Sequence, residues 1–155
     1  MEDINKVSVV IPCYNEEKII DNTYNLVKKV LNKTKKKYEI IISSDGSKDK
    51  TNEILRKISI KDKMAHIIIN KKNRGMGYVL RQMFNKASGN VVIQMDADLS
   101  VNPNIINSFL EEIKNYDVVI ASRYKGIKGE IPLTRLIASR VYHIFNFFFI
   151  WNKDT

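Results

Sequence analysis

The chain has 155 residues, of which 44% are hydrophobic and 28% charged, with 26 Lys and Arg against 17 Asp and Glu and a formal net charge of +9. That length suits one domain with a real core, and the composition excludes a disordered or collagen-like chain. A single cysteine, Cys13, excludes an internal disulfide and a Cys/His zinc cluster, and it fits a reducing compartment.

The basic balance favours an anionic partner: a nucleotide, a nucleic acid or an acidic lipid surface. The first six residues are polar and acidic, without the pattern of a signal peptide. No run reaches the ~18 apolar residues of a membrane-spanning helix.

The β-branched run 7–11, bounded by Pro12, predicts a buried strand. Residues 16–31 carry apolar side chains at Ile19, Ile20, Tyr24, Val27, Val30 and Leu31, a helical spacing, with Asn15 as the expected N-cap. The pattern then repeats. Strands are expected at 38–42, 66–69, 91–95 and 117–121, and helices at 49–58, 78–87, 103–114 and 133–151. Between them run polar loops at 43–48, 70–77 and 123–132.

Strands alternating with helices predict an α/β fold with a mostly parallel sheet covered by helices on both faces. All strand C-terminal ends then share one edge, where ligands of such sheets bind. The loops after each strand are therefore the informative segments.

Asp96-Ala97-Asp98 directly follows an apolar strand. Residues two apart in extended chain point the same way, so two carboxylates converge at the ligand edge. Like charges that close repel unless a cation sits by them, and Mg²⁺ or Mn²⁺ takes such oxygens together with substrate phosphates. The same aspartates also suit a turn before Pro103. Ser44-Asp45-Gly46-Ser47 admits close ligand approach, and equally suits an Asp-Gly turn before a helix. Asn73-Arg74-Gly75-Met76-Gly77 offers glycine amides near a helix start, suited to phosphate or ribose, or to a flexible connection. Neither a dinucleotide fingerprint nor a Walker A sequence occurs, and no Ser-His-Asp or Cys-His set is visible.

In order, Val9-Val10-Ile11-Pro12-Cys13-Tyr14-Asn15-Glu16-Glu17, Asp45-Gly46-Ser47-Lys48-Asp49, Asn73-Arg74-Gly75-Met76-Gly77, Met95-Asp96-Ala97-Asp98-Leu99 and Ala121-Ser122-Arg123-Tyr124 resemble family 2 glycosyltransferases of the GT-A fold. The likeness is greatest to the dolichol-phosphate mannosyltransferase and polyprenyl-phosphate glucosyltransferase branch, and it covers nearly the whole chain as one catalytic domain.

The resemblance implies that Pro12, Tyr14 and Glu16 line the nucleobase and ribose pocket and that Asp45 contacts the base. It places Arg74 and Gly75 by the nucleoside and Asp96 by ribose and sugar. Asp96 and Asp98 form the metal site, with Asp98 a direct ligand of Mg²⁺ or Mn²⁺. Arg123 binds phosphate, while Arg135, Ser139 and Arg140 match the acceptor loop and following helix. Three positions depart from the pattern: Ser44 stands where many relatives carry a first aspartate, Ser100 stands where several carry glutamine, and the chain stops at Asp154-Thr155 where relatives continue.

The expected activity is inverting transfer of a hexose from a GDP- or UDP-sugar to a polyprenyl phosphate. A lipid phosphate is already ionised near neutral pH and needs cations more than a general base. Arg123, Lys125, Lys128, Arg135 and Arg140 supply them around one loop. Phe145, Phe147, Phe148, Phe149, Ile150 and Trp151 then suit a membrane interface as well as a core helix, which places the protein peripherally at the cytoplasmic membrane face. The rival readings are a glycan acceptor, a nucleotidyltransferase, a glycoside hydrolase and a nucleic-acid module; no aromatic-basic interleaving supports the last.

Overall fold

The computed structural model describes residues 3–121. The chain separates into two compact units, Met1–Val119 and Ile120–Thr155. The first unit contains β1 (Lys6–Cys13), α1 (Ile20–Lys33), β2 (Lys37–Asp45), α2 (Thr51–Lys61), β3 (Ala65–Asn70), α3 (Met76–Lys86), β4 (Val91–Gln94) and α4 (Ile105–Glu112). The strands form one parallel sheet in the order β3-β2-β1-β4.

Strand periodicity sorts the core into two layers. Val7, Val9 and Ile11 of β1 pack with Ile40 and Ile42 of β2 against α1, α2 and α4. Val10 and Ile41 point the other way and pack on Val79 and Met83 of α3. The expected parallel sheet with helices on both faces is thus present. In α1 the buried residues Ile20, Thr23, Tyr24, Val27, Val30 and Leu31 follow the apolar stripe seen in the sequence.

Three expectations need correction. First, β2 runs through Ser43 and Ser44 to Asp45, all buried, where the sequence predicts a loop. Small polar residues look like a turn, but here Pro12 and Cys13 flank Ser43 and Ser44 on one side and β3 on the other, so the ladder continues. Second, Asn15 does not cap α1. It sits at φ 56, and its side chain accepts instead from the Lys48 amide at 2.8 Å. The helix proper begins at Ile20.

Third, residues 117–121 carry no strand. Among the described residues β4 pairs only with β1, and Val118 is 72% exposed. An apolar run of strand composition becomes a strand only when a neighbour supplies its hydrogen bonds. The expected loop 123–132 and helix 133–151 lie outside the described residues.

The charged anchor of the sheet lies at the other end from the ligand edge. Glu39, only 3% exposed, accepts from the Ser8 hydroxyl at 2.6 Å, Lys6 Nζ at 2.9 Å and the Ser88 amide at 2.7 Å. Burial would raise its carboxyl, yet these donors outweigh burial and hold it at about 2.

Candidate functional site

A cavity of about 540 Å³ opens at the C-terminal edge of the strands. Pro12, Cys13, Tyr14 and Glu16 line it from the end of β1, and Asp96, Ala97 and Asp98 from the end of β4. The chain passes from β1 through β2 to β3 in one direction and returns to place β4 on the far side of β1. The crevice between β1 and β4 is the point where strand order reverses, the place where open α/β sheets hold ligands. Asp45, Asn73, Gly75, Met76 and Val79 complete the wall.

Two turns give the aspartates their aim. Ala97 is buried while Asp96 and Asp98 on either side are exposed, and both aspartates line the cavity although the chain turns at 97–98, where the alternation expected from the sequence assumes extended chain. The buried Thr23 hydroxyl of α1 donates to the Ala97 carbonyl at 2.7 Å and ties the turn to the core. Asp98 Oδ1 also accepts from the Ser100 amide at 2.8 Å. Ser100, the shorter residue noted in the sequence, therefore shapes this turn through its backbone.

The loops after β1 and β2 are stitched together. The Asn15 amide donates to Ser47 Oγ at 3.0 Å, the Glu16 amide to Thr51 Oγ1 at 2.8 Å, and the Glu17 amide to Asp49 Oδ2 at 3.1 Å. In return Glu17 Oε2 accepts from the Lys50 amide at 2.9 Å. The sequence does not mark Ser47, Asp49 and Thr51 as positioning residues. Their only signal is a cluster of small polar side chains beside a strand end, which also describes an ordinary turn.

The cavity is acidic within a basic chain. Four carboxylates line it, from Glu16, Asp45, Asp96 and Asp98, and no lysine or arginine is among the described residues of its wall. Burial raises the Glu16 carboxyl above the ordinary range, and the charges of Asp98 and then Asp49 add to the rise. Burial likewise pushes the Cys13 thiol up to about 12, helped by Glu16 and Asp49. Cys13 is therefore a protonated, packed side chain and not a nucleophile.

Asp96 and Asp98 fit a hard divalent cation. Both are oxygen donors on one wall, and Mg²⁺-like ions bind through one or two carboxylates with phosphates and water completing the shell. Among the described residues no group of three or more His, Cys, Asp or Glu side chains is placed to hold a metal ion.

Seven of the expected pocket residues line this one cavity: Pro12, Tyr14, Glu16, Asp45, Gly75, Asp96 and Asp98. Arg74 is not among them; its guanidinium stacks 4.1 Å from the centre of the Tyr78 ring. Arg123, Arg135, Ser139 and Arg140 lie outside the described residues. Among the described residues no helix is long and apolar enough to cross a membrane.

The profile of the family described as glycosyl transferase family 2 matches residues 8–154. The chain belongs to that family. An uncharacterized glycosyltransferase, YkcC of Bacillus subtilis, is 38% identical over 138 residues, covering 88% of this chain and 42% of its own length. The dolichol-phosphate mannosyltransferase of Pyrococcus furiosus is also 38% identical over 138 residues, covering 87% of this chain and 38% of its own. This chain thus spans about two fifths of these family members.

The mannosyltransferase PcManGT from Pyrobaculum calidifontis, solved with GDP-Man and Mn²⁺, superposes with a TM-score of 0.56 at 21% identity, over 66% of this chain and 32% of that one. The fold is that of the GT-A glycosyltransferases in the family.

Proposed function

We propose that this chain is a GT-A catalytic domain, and that the whole protein transfers a hexose from a GDP- or UDP-sugar to a polyprenyl phosphate. One observation carries the reading: Asp96 and Asp98, flanking a buried Ala97, open onto the same cavity as Pro12, Tyr14, Glu16 and Gly75. Membership of the family supports glycosyl transfer. The name of the Pyrococcus furiosus relative supports a lipid phosphate acceptor and mannose as one candidate sugar. The Mn²⁺ in PcManGT supports a divalent cation, Mg²⁺ or Mn²⁺, at Asp96 and Asp98.

The acidity of the wall bears on mechanism. A diphosphate among four carboxylates would be repelled unless a divalent cation held by Asp96 and Asp98 offset their charge. When bound, the cation supplies Lewis-acid neutralisation of the charge that develops on the departing diphosphate. The chain's own residues hold the rest. Asp98 and Asp96 would hold the cation beside the donor's phosphates, while Pro12, Tyr14 and Glu16 would enclose the nucleoside. An acceptor phosphate oxygen attacks the anomeric carbon from the face opposite the leaving group. The sugar–phosphate bond breaks with its electron pair going to the nucleoside diphosphate, and the configuration inverts.

Arg123 would neutralise phosphate, and Arg135, Ser139 and Arg140 would hold the acceptor. Such a reaction would take place at a membrane surface, with the whole protein peripheral at its cytoplasmic face.

The test is thermal stabilisation by GDP and UDP, each with and without Mn²⁺. At a hundred times its Kd a ligand adds about 2.7 kcal/mol of stability, so one nucleotide with Mn²⁺ should raise the melting temperature by several degrees. Asp98→Ala should remove the Mn²⁺-dependent part. If neither nucleotide moves the melting point, the donor site is rejected. With the full-length protein, transfer to dolichyl or undecaprenyl phosphate supports the acceptor; transfer to a soluble glycan instead overturns that half.

A further inference from the structure

The resemblance gives Asp45 the task of reading the base, but its surroundings suit another one. Asp45 ends β2, and the residue is 6% exposed. Its Oδ1 accepts from the Arg74 amide at 2.8 Å and its Oδ2 from the Gly75 amide at 2.9 Å. Both oxygens are therefore engaged by the backbone of the segment that enters α3. Gly75 is the residue before that helix, so the carboxylate also lies where the helix dipole favours negative charge.

The next residue tightens the same contact. Gly46 has φ +74, and a Cβ there would lie 2.6 Å from the Asn73 nitrogen and 2.6 Å from the Lys72 carbonyl carbon. The loop after β3 thus lies directly against the β2 turn, with no room for a side chain between them. At the loop's start, the Asn70 amide group donates to Gln82 of α3 at 3.0 Å. Asn73, Gly75 and Met76, which line the cavity, are carried on this pinned segment.

We propose that Asp45 is a positioning residue: it clamps the 73–75 segment into the cavity wall through two backbone amides. Its loss then weakens every nucleotide alike and leaves the preference for one base unchanged. The clamp rests on the nucleotide-binding reading only for its affinity measurement; the amide measurement stands without it.

In the full-length protein, backbone hydrogen exchange followed by NMR reads the clamp directly. The Arg74 and Gly75 amides lie outside every helix and strand, yet both should exchange slowly. Asp45→Asn keeps the shape but turns an NH₂ group toward one of the two amides. Their exchange should speed up by about tenfold or more, as for the loss of one charge-assisted hydrogen bond, while the β1 and β2 amides stay protected.

GDP and UDP should both weaken by about that factor, with the ratio of their affinities unchanged. Gly46→Ala, which pushes on residues 72–73 of the same loop, should weaken both nucleotides in the same proportion. Fast exchange at Arg74 and Gly75 in the unmodified protein overturns the proposal. So does an Asp45→Asn protein that loses one nucleotide selectively, which is the behaviour of a base reader. If Asp45→Asn fails to fold, the unmodified protein and Gly46→Ala still decide. A protein that binds neither nucleotide but keeps both amides protected rejects the donor site and leaves the clamp standing.

Discussion

Glu39→Gln is the substitution that most directly tests the electrostatics of this sheet. The carboxylate is buried, and it gathers the Ser8 hydroxyl, the Lys6 ammonium, and both the amide and hydroxyl of Ser88. Its folded carboxyl stands at about 2 against an ordinary 4.5. Gln removes the charge and turns an NH₂ group toward donors. Breaking a buried charged pair from one side costs roughly 3–5 kcal/mol. Lys6 keeps a third of its side chain exposed and can rehydrate, so the low end, about 3 kcal/mol, is expected.

The sign of the pH dependence follows. A carboxyl held below its unfolded value contributes stability above pH 4.5 and loses that contribution as the pH falls from 4.5 toward 2. Urea unfolding of both proteins at pH 7, 4 and 3 gives the difference directly. The gap should be about 3 kcal/mol at pH 7 and shrink steadily below pH 4.5. Glu39 and Asp45 stand at opposite ends of β2, roughly 20 Å apart at strand rise, so nucleotide affinity should not change. A variant within about 0.5 kcal/mol of the parent, or a gap constant from pH 7 to 3, refutes the reasoning.

Other outcomes are equally specific. Thr23→Val removes the hydroxyl that holds the Ala97 carbonyl and leaves that acceptor buried without its donor; stability should fall by about 1–3 kcal/mol. Mn²⁺-dependent stabilisation by nucleotide should weaken severalfold, and an unchanged Mn²⁺ response would show that the aspartate turn does not depend on α1. Cys13, buried and pushed up to about 12, should resist iodoacetamide at pH 8 in the native protein and react fully in urea. Rapid native labelling would show the thiol open to the cavity. Leu31→Ala, at a fully buried position of α1, should cost about 2–5 kcal/mol by chemical denaturation, and a cost below about 1 kcal/mol would place α1 off the core.

Part of the candidate site is legible without any fold, because it depends on neighbours in sequence. Asp96 and Asp98 flank one buried residue and both line the cavity, although the chain turns at Ala97 and Asp98 instead of running on as extended strand. The order of strands and helices, and the edge that carries the site, likewise follow from local periodicity and the handedness of crossovers. Ser47, Asp49 and Thr51 stay hidden for the opposite reason: each acts on the backbone of residues 15–17, more than thirty positions away.

Local pattern was enough to say which segments form most of the strands and helices and where carboxylates gather, since apolar period and residue chemistry are written along the chain. What those groups touch was settled by folding. Ser43 to Asp45 became strand because neighbours on both sides completed the ladder, and residues 117–121 carry no strand although their composition suits one. Asn15 left its helix for the Lys48 amide, and Asp45 turned to the amides of Arg74 and Gly75. A hydrogen bond is chosen by whichever partner folding brings within about 3 Å, and no local pattern of residues records that partner.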